Sequence, residues 1–450
     1  MQKQTRRGFL KLGSVATLAA ASAACSAPTS PAEPASPPPP VQPAPPKPAA
    51  KAPAPPPTVA AAPARAAAPV AAPSTARAPG DRRILVVVQM GGGDDGLNTL
   101  VPYGNGLYYQ ARPQVSIPAD QLLRLNDQFG LHPSLKAFKE LYDGGKLAFV
   151  QGVGYPNPSR SHFRSMDIWH SARLDGGADE GWLGAFMSEV YKVGDSPFQC
   201  VNIGNSVPKA LLGANVPAAA VQDTGTFAFV ADRRLPAGKD PLLKTFGEMY
   251  ARPSRKLPSL ELVSNTWGNT VKAVDLLAGS ASKYQSTAQY PNGPFGKTLQ
   301  QVAQMIGADL GTRVFYVSLG GFDTHANQKQ AHANLLSQVS DGVTALYREL
   351  EQMGKADRVM IVGFSEFGRR VRENGSNGTD HGAAGPMFVL GAGVKGGLYG
   401  DHPSLTDLDE GDLKYTVDFR QVYATILDGW FEVPSKKILG GSFDRLGFVG

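Results

Sequence analysis

Three short runs, 84–90, 314–319 and 359–363, are apolar almost without interruption. A strand with one wet face alternates apolar and polar residues. A continuous run must be buried on both faces, as in the middle of a parallel sheet covered by helices. Residues 147–152 and 386–390 read as further strands. Helical spacing appears at 133–141, where Leu135, Phe138 and Leu141 share a face, and at 260–283, 295–310 and 419–431. Another helix begins near Gln328 and runs through Leu350. Strands and helices alternating in this way predict an α/β fold: a doubly wound, mostly parallel sheet with helices on both faces. Residues 196–235, rich in small residues, Gly and Pro, read as irregular strands or a specificity insertion. No repeat period is present.

Each of the three runs empties into a loop that carries acids or histidines. The first leads to Gly91-Gly-Gly-Asp94-Asp95, the second to Gly320-Gly-Phe-Asp323-Thr-His325, and the third to Ser365-Glu366-Phe-Gly-Arg369. A later loop adds Asp380-His381. Open α/β sheets place ligands at the carboxyl ends of their strands. Carboxylate oxygens and imidazole nitrogens are the donors that hold zinc, calcium, magnesium or manganese. Asp95, Asp323, His325, Glu366 and His381 are therefore the expected ligands of one or two divalent ions. Asp380 is a further ligand or the partner that orients His381. Asp94 is expected to face solvent. The glycines at 91–96 lack both nucleotide-loop patterns and serve to turn the chain sharply.

Ser159-Arg160-Ser161-His162 opens a helix, where free N–H groups favour an anion. Ser161 is the candidate nucleophile, with His162 beside it and Arg160 or Arg369 as anion clamps. A plain helix cap is the other role open to Ser161. Of the seven histidines, His132, His170, His332 and His402 are assigned to caps, surface or packing, His332 being a spare ligand at most.

The first 80 residues are of another kind. Thr5-Arg-Arg-Gly-Phe-Leu-Lys11 has the form of a twin-arginine export signal, and the apolar stretch 12–24 is too short to span a membrane. Cys25 resembles the acylated cysteine of bacterial lipoproteins, although Ser22 stands where Leu is usual. Cleavage without lipid is the alternative. Residues 26–80 hold 19 of the 37 prolines and form an extended spacer. The expected division is thus 1–25 signal, 26–80 linker and 81–450 a single α/β domain. Of 44 basic and 38 acidic residues, eight basic ones and Glu33 precede residue 81, which leaves the folded region with a net charge of −1. No nucleic-acid partner is implied. Only Cys200 remains there, so no intrachain disulfide forms. The expected partners are the twin-arginine translocation machinery and a small substrate, and the expected location is the periplasm or cell envelope.

The blocks around Asp95, Ser161, Asp323-Thr-His325, Glu366-Phe-Gly-Arg369 and Thr379-Asp-His381-Gly382 resemble those of the DUF1501 family of exported bacterial proteins, over roughly 84–445. That family is similar in turn to the alkaline phosphatase and sulfatase superfamily. The resemblance implies a metal-dependent hydrolase acting on a phosphate or sulfate ester, with Asp95 as the early ligand and Asp323, His325 and His381 as late ones. Phe367 stands where the superfamily has a ligating His, and Asp-x-His replaces a longer spacing. The first departure points to a single metal or to two metals with altered ligands, the second bears on the place of His325, and a non-catalytic envelope binding or assembly protein is the other reading.

Overall fold

A computed structural model describes residues 83–191, 196, 198–214, 216–224 and 284–450, with positions 245, 248, 249 and 277. The signal, Cys25 and the spacer lie outside the described residues, as does the helix expected at 260–283 apart from Leu277. The chain divides into two units, 1–73 and 74–450, and all described residues belong to the second.

Among the described residues nine strands form one sheet: β1 (Ile84–Gly91), β2 (Leu147–Gly154), β3 (Cys200–Ile203), β4 (Ala218–Val221), β5 (Val314–Gly320), β6 (Val359–Phe364), β7 (Gly385–Gly391), β8 (Gly397–Tyr399) and β9 (Val417–Asp418). Their spatial order is β8-β2-β7-β6-β1-β5-β3-β4, with β9 also paired to β2. The three apolar runs are the adjacent strands β6, β1 and β5. All three are parallel, with Val87 opposite both Tyr316 and Val362. The stretch 196–235, where described, supplies β3 and β4, which extend the sheet in parallel.

Both faces of β1 are covered, as its composition requires. Ile84, Val86, Val88 and Met90 point into one core with helices α1 (Lys136–Asp143), α4 (Pro294–Gly307) and α5 (Gln328–Gln352). Leu85 and Val87 point into the other, with α2 (His162–Ser171), α3 (Trp182–Val190) and α6 (Phe419–Ala424). Burying these six side chains contributes roughly 10 kcal/mol at ~2 kcal/mol each. β1 is therefore held firmly before its loop begins. The helix expected at 419–431 is α6 followed by a π-helical turn over Thr425–Trp430, started by the Asp418–Gln421 capping box.

One strand runs against the rest. β7 is antiparallel to both β2 and β6. The hairpin Arg369–Glu373/Thr379–His381 precedes it and returns the chain to the edge where β6 ends, so β7 must start there. The carboxyl ends of β2, β6, β1 and β5 consequently share one edge of the sheet. Among the described residues no helix is long and apolar enough to cross a membrane.

Candidate metal centre

At that edge three imidazoles surround one carboxylate. Asp323 leaves the end of β5, and its Oδ1 lies 2.9 Å from His381 Nε2 and 3.0 Å from His325 Nε2. Its Oδ2 lies 3.5 Å from His162 Nε2. The Nε2 atoms of His325 and His381 are 3.0 Å apart. His162, Asp323 and His381 each offer a ligand atom within 4.8 Å of the others.

The partners of the other ring nitrogens assign the tautomers. His381 Nδ1 lies 2.9 Å from the carbonyl oxygen of Arg160, which can only accept, so that nitrogen carries the proton. His162 Nδ1 donates to Glu366 Oε1 at 2.8 Å, and His325 Nδ1 faces Asp380 Oδ1 at 3.3 Å. With Nδ1 protonated, each neutral ring turns an Nε2 lone pair inward. Three lone pairs and a carboxylate then face one another, with Arg369 donating to Asp323 Oδ1 and lying 3.5 Å from His325 Nε2, an arrangement that suits a shared cation. Four ligand atoms around a tetrahedral zinc at 2.0–2.1 Å lie about 3.4 Å apart, close to the separations here. His162, Asp323 and His381 therefore fit one ion, with His325 beside Asp323 and His381, and Glu366, Asp380 and the Arg160 carbonyl orient the rings.

Asp323 is ionised in this setting. Burial opposes its charge, but the hydrogen bond from Arg369, with the Arg369 charge, holds its carboxyl well below the usual carboxylate range. Asp380 is also held low, chiefly by a hydrogen bond from Asn374.

Glycine makes the close approach possible. Gly92 has φ +123°, and a Cβ there would stand 2.4 Å from the backbone nitrogen of Asp323. Its N–H donates to Glu366 Oε1 at 2.9 Å, tying the β1 and β6 loops together.

Asp95 does not join the cluster. It is fully buried, and its Oδ2 pairs with Arg112 at 2.6 Å and accepts from Gln328 Nε2. The cause is local: Asp95 begins the turn 96–99, whose residues are all buried, so its side chain is carried inward to Arg112. It supports the centre at one remove, since Gln328 Oε1 accepts from Thr324 and Thr379, which flank the ligand loops. Asp94 is likewise buried and not solvent-facing, accepting from Thr99 and from His332 Nε2 at 2.8 Å. His332 is thereby a packing residue. Glu366 orients His162 and does not converge with the Nε2 atoms.

Both arginines carry partners within the chain. Arg369 is buried, with donors on the carbonyls of Gly92, Gly93, Phe322 and Thr379 and on Asp323 Oδ1. Arg160 is held by Asp412 at 2.7 Å. Ser161 occupies the N-cap of α2, exposed and making no side-chain cap bond. Phe367 is buried against His162 and His381, with ring centroids 5.0 and 4.6 Å away. An apolar wall thus closes that side of the cluster.

Two contributions are not visible in the sequence. The pattern puts His162 beside a nucleophile and does not show it as a ring facing Asp323; its place directly after Ser161 draws attention to the serine. Arg112 and Gln328 lie in none of the blocks and carry no local signal.

Residues 82–438 match the family model described as "Protein of unknown function (DUF1501)". No curated protein matches the sequence. Among solved structures, the chain is similar to the PsFucS1 sulfatase from Pseudoalteromonas sp., at 12% identity and TM-score 0.35, over 80% of this chain and 68% of that one. It is also similar to the C-terminal periplasmic domain of EcEptC from Escherichia coli in complex with Zn. There the identity is 11% and the TM-score 0.32, over 69% of this chain and 73% of that one. A Vibrio parahaemolyticus protein in the alkaline phosphatase superfamily matches at 8% identity and TM-score 0.30, over 72% and 63%.

Proposed function

This chain belongs to the DUF1501 family, and we propose that it is an exported, metal-dependent hydrolase-like protein acting on a phosphate or sulfate ester. The observation that carries the reading is the convergence of three Nε2 lone pairs on the Asp323 carboxylate at the carboxyl edge of the sheet. Three nitrogen donors and one carboxylate favour zinc, or manganese, over calcium and magnesium. The expected holders are His162, His325, His381 and Asp323. When bound, the ion would supply positive charge that acidifies a nearby hydroxyl and offsets charge on a phosphoryl or sulfuryl oxygen.

The chain's own residues do the rest. Glu366, Asp380 and the Arg160 carbonyl keep the three protons on Nδ1 and aim the rings. Ser161 lies between Arg160 and His162, both in contact with the cluster, and its uncapped hydroxyl is the proposed nucleophile. Export by the twin-arginine route, the spacer 26–80 and a lipid on Cys25 complete the proposal and place the domain in the periplasm or cell envelope.

A binding or assembly role without turnover is the second reading. It is favoured by the full engagement of the Arg369 guanidinium with four carbonyls and Asp323. Elemental analysis of the purified full chain, followed by a panel of phosphate and sulfate monoesters, separates the two. About one equivalent of zinc is expected, lost in Asp323→Ala. Ser161→Ala is expected to keep the metal and lose turnover. Metal without turnover supports the second reading, and no retained metal removes the proposed centre.

A further inference from the structure

Helix α2 does more than deliver His162. Phe163, Met166, Asp167 and His170 follow it at the spacing of three and four residues that puts side chains on one face of a helix. That face lines an open cleft of about 320 Å³, whose other side includes Gln89 from β1 and Glu366 after β6. His162 and Glu366 belong both to the cleft and to the candidate centre, so a molecule in the cleft lies beside the cluster. Phe163 is 91% exposed, the most exposed large hydrophobic side chain among the described residues.

The wall chemistry narrows what fits. Both acids are committed, Asp167 to Lys209 at 2.5 Å and Glu366 to His162 and the Gly92 N–H. Among the described residues lining the cleft there is no Lys or Arg, so nothing there favours a second anionic group. The Gln89 carboxamide oxygen accepts from Tyr316 at 2.6 Å, leaving its N–H groups as donors. The cleft thus combines a free aromatic face, a thioether and neutral polar groups.

We infer that this cleft receives the organic moiety of the substrate, and that this moiety is an uncharged, ring-bearing group stacked on Phe163. The inference rests on the proposed ester-binding role of the adjacent centre, with the anionic group at the cluster and the ring in the cleft. The test compares inorganic phosphate with phenyl phosphate by calorimetry on the zinc-loaded full chain. Wild type should bind phenyl phosphate roughly tenfold more tightly, within the range of an aromatic stacking contact. Phe163→Ala should lose that advantage with unchanged zinc content, and Phe163→Trp should keep it. An advantage that survives in Phe163→Ala overturns the inference. A second arm uses chelator-treated protein and neutral phenyl glucoside, read by saturation-transfer NMR. Transfer to the phenyl protons in wild type, lost in Phe163→Ala, supports the cleft even if the metal reading fails. No transfer in wild type sinks it.

Discussion

Asp95 and Asp323 leave neighbouring parallel strands through glycine loops that look alike in sequence, yet they sit in opposite environments. Asp95 is sealed from water against Arg112, with Gln328 as a second donor. Asp323 keeps 45% of its side chain exposed and faces three imidazoles. The first carboxylate has its cation built into the chain. The second has only a share of the charge it needs, from Arg369, and collects nitrogen lone pairs around the remainder. The environment of a strand-end acid thus turns on whether the fold supplies its whole counter-charge.

The largest effect should come from breaking the sealed pair. Arg112→Met leaves Asp95 charged and buried, and urea unfolding should show a loss of about 3–5 kcal/mol. Restoring neutrality with Asp95→Leu in the same chain should recover most of it. A loss below about 1 kcal/mol in the single variant would erase the contrast between the two regions.

Acid should probe both sides next. His132 packs on His332 behind Asp94, while His170 lines the cleft on α2, and burial pushes both imidazoles down to about 4. In the unfolded chain they titrate near 6.5, so the unfolded state takes up protons first as pH falls. Their contribution is complete above pH 6.5 and is lost between there and about 4, at most about 3 kcal/mol each. His132→Asn and His170→Asn, compared by thermal unfolding at pH 7 and pH 4.5, should each flatten the decline. A wild-type stability level across that window would refute the expectation.

The smallest effect concerns the open side. Glu366→Gln keeps an acceptor for His162 Nδ1 but removes its charge, and zinc affinity should fall roughly ten- to hundredfold. Competition with a chromophoric chelator reads this directly. Unchanged affinity would mean that His162 is not oriented through Glu366.

Much of the frame was legible in the residues. Continuous apolar runs named β1, β5 and β6, helical spacing named α1, α4 and α5, and the position of the acid- and histidine-bearing loops after those strands placed them at one edge. The reversed β7 was not legible, since an apolar strand reads the same in either direction. Nor was the inward turn of Asp94 and Asp95, because their hydrogen-bond partners come from distant places: Arg112 in a stretch without pattern, and Gln328 and His332 on α5.

By itself the sequence determined which segments must be buried, that they form a layered α/β sheet, and which loops carry nitrogen and oxygen donors. Those properties follow from local composition and periodicity. Only the tertiary structure decided that His162 joins Asp323, His325 and His381, that Asp95 is spent on Arg112, and that Phe163 stands free beside the cluster. Burial and charge pairing depend on neighbours from elsewhere in the chain, and no local pattern specifies those.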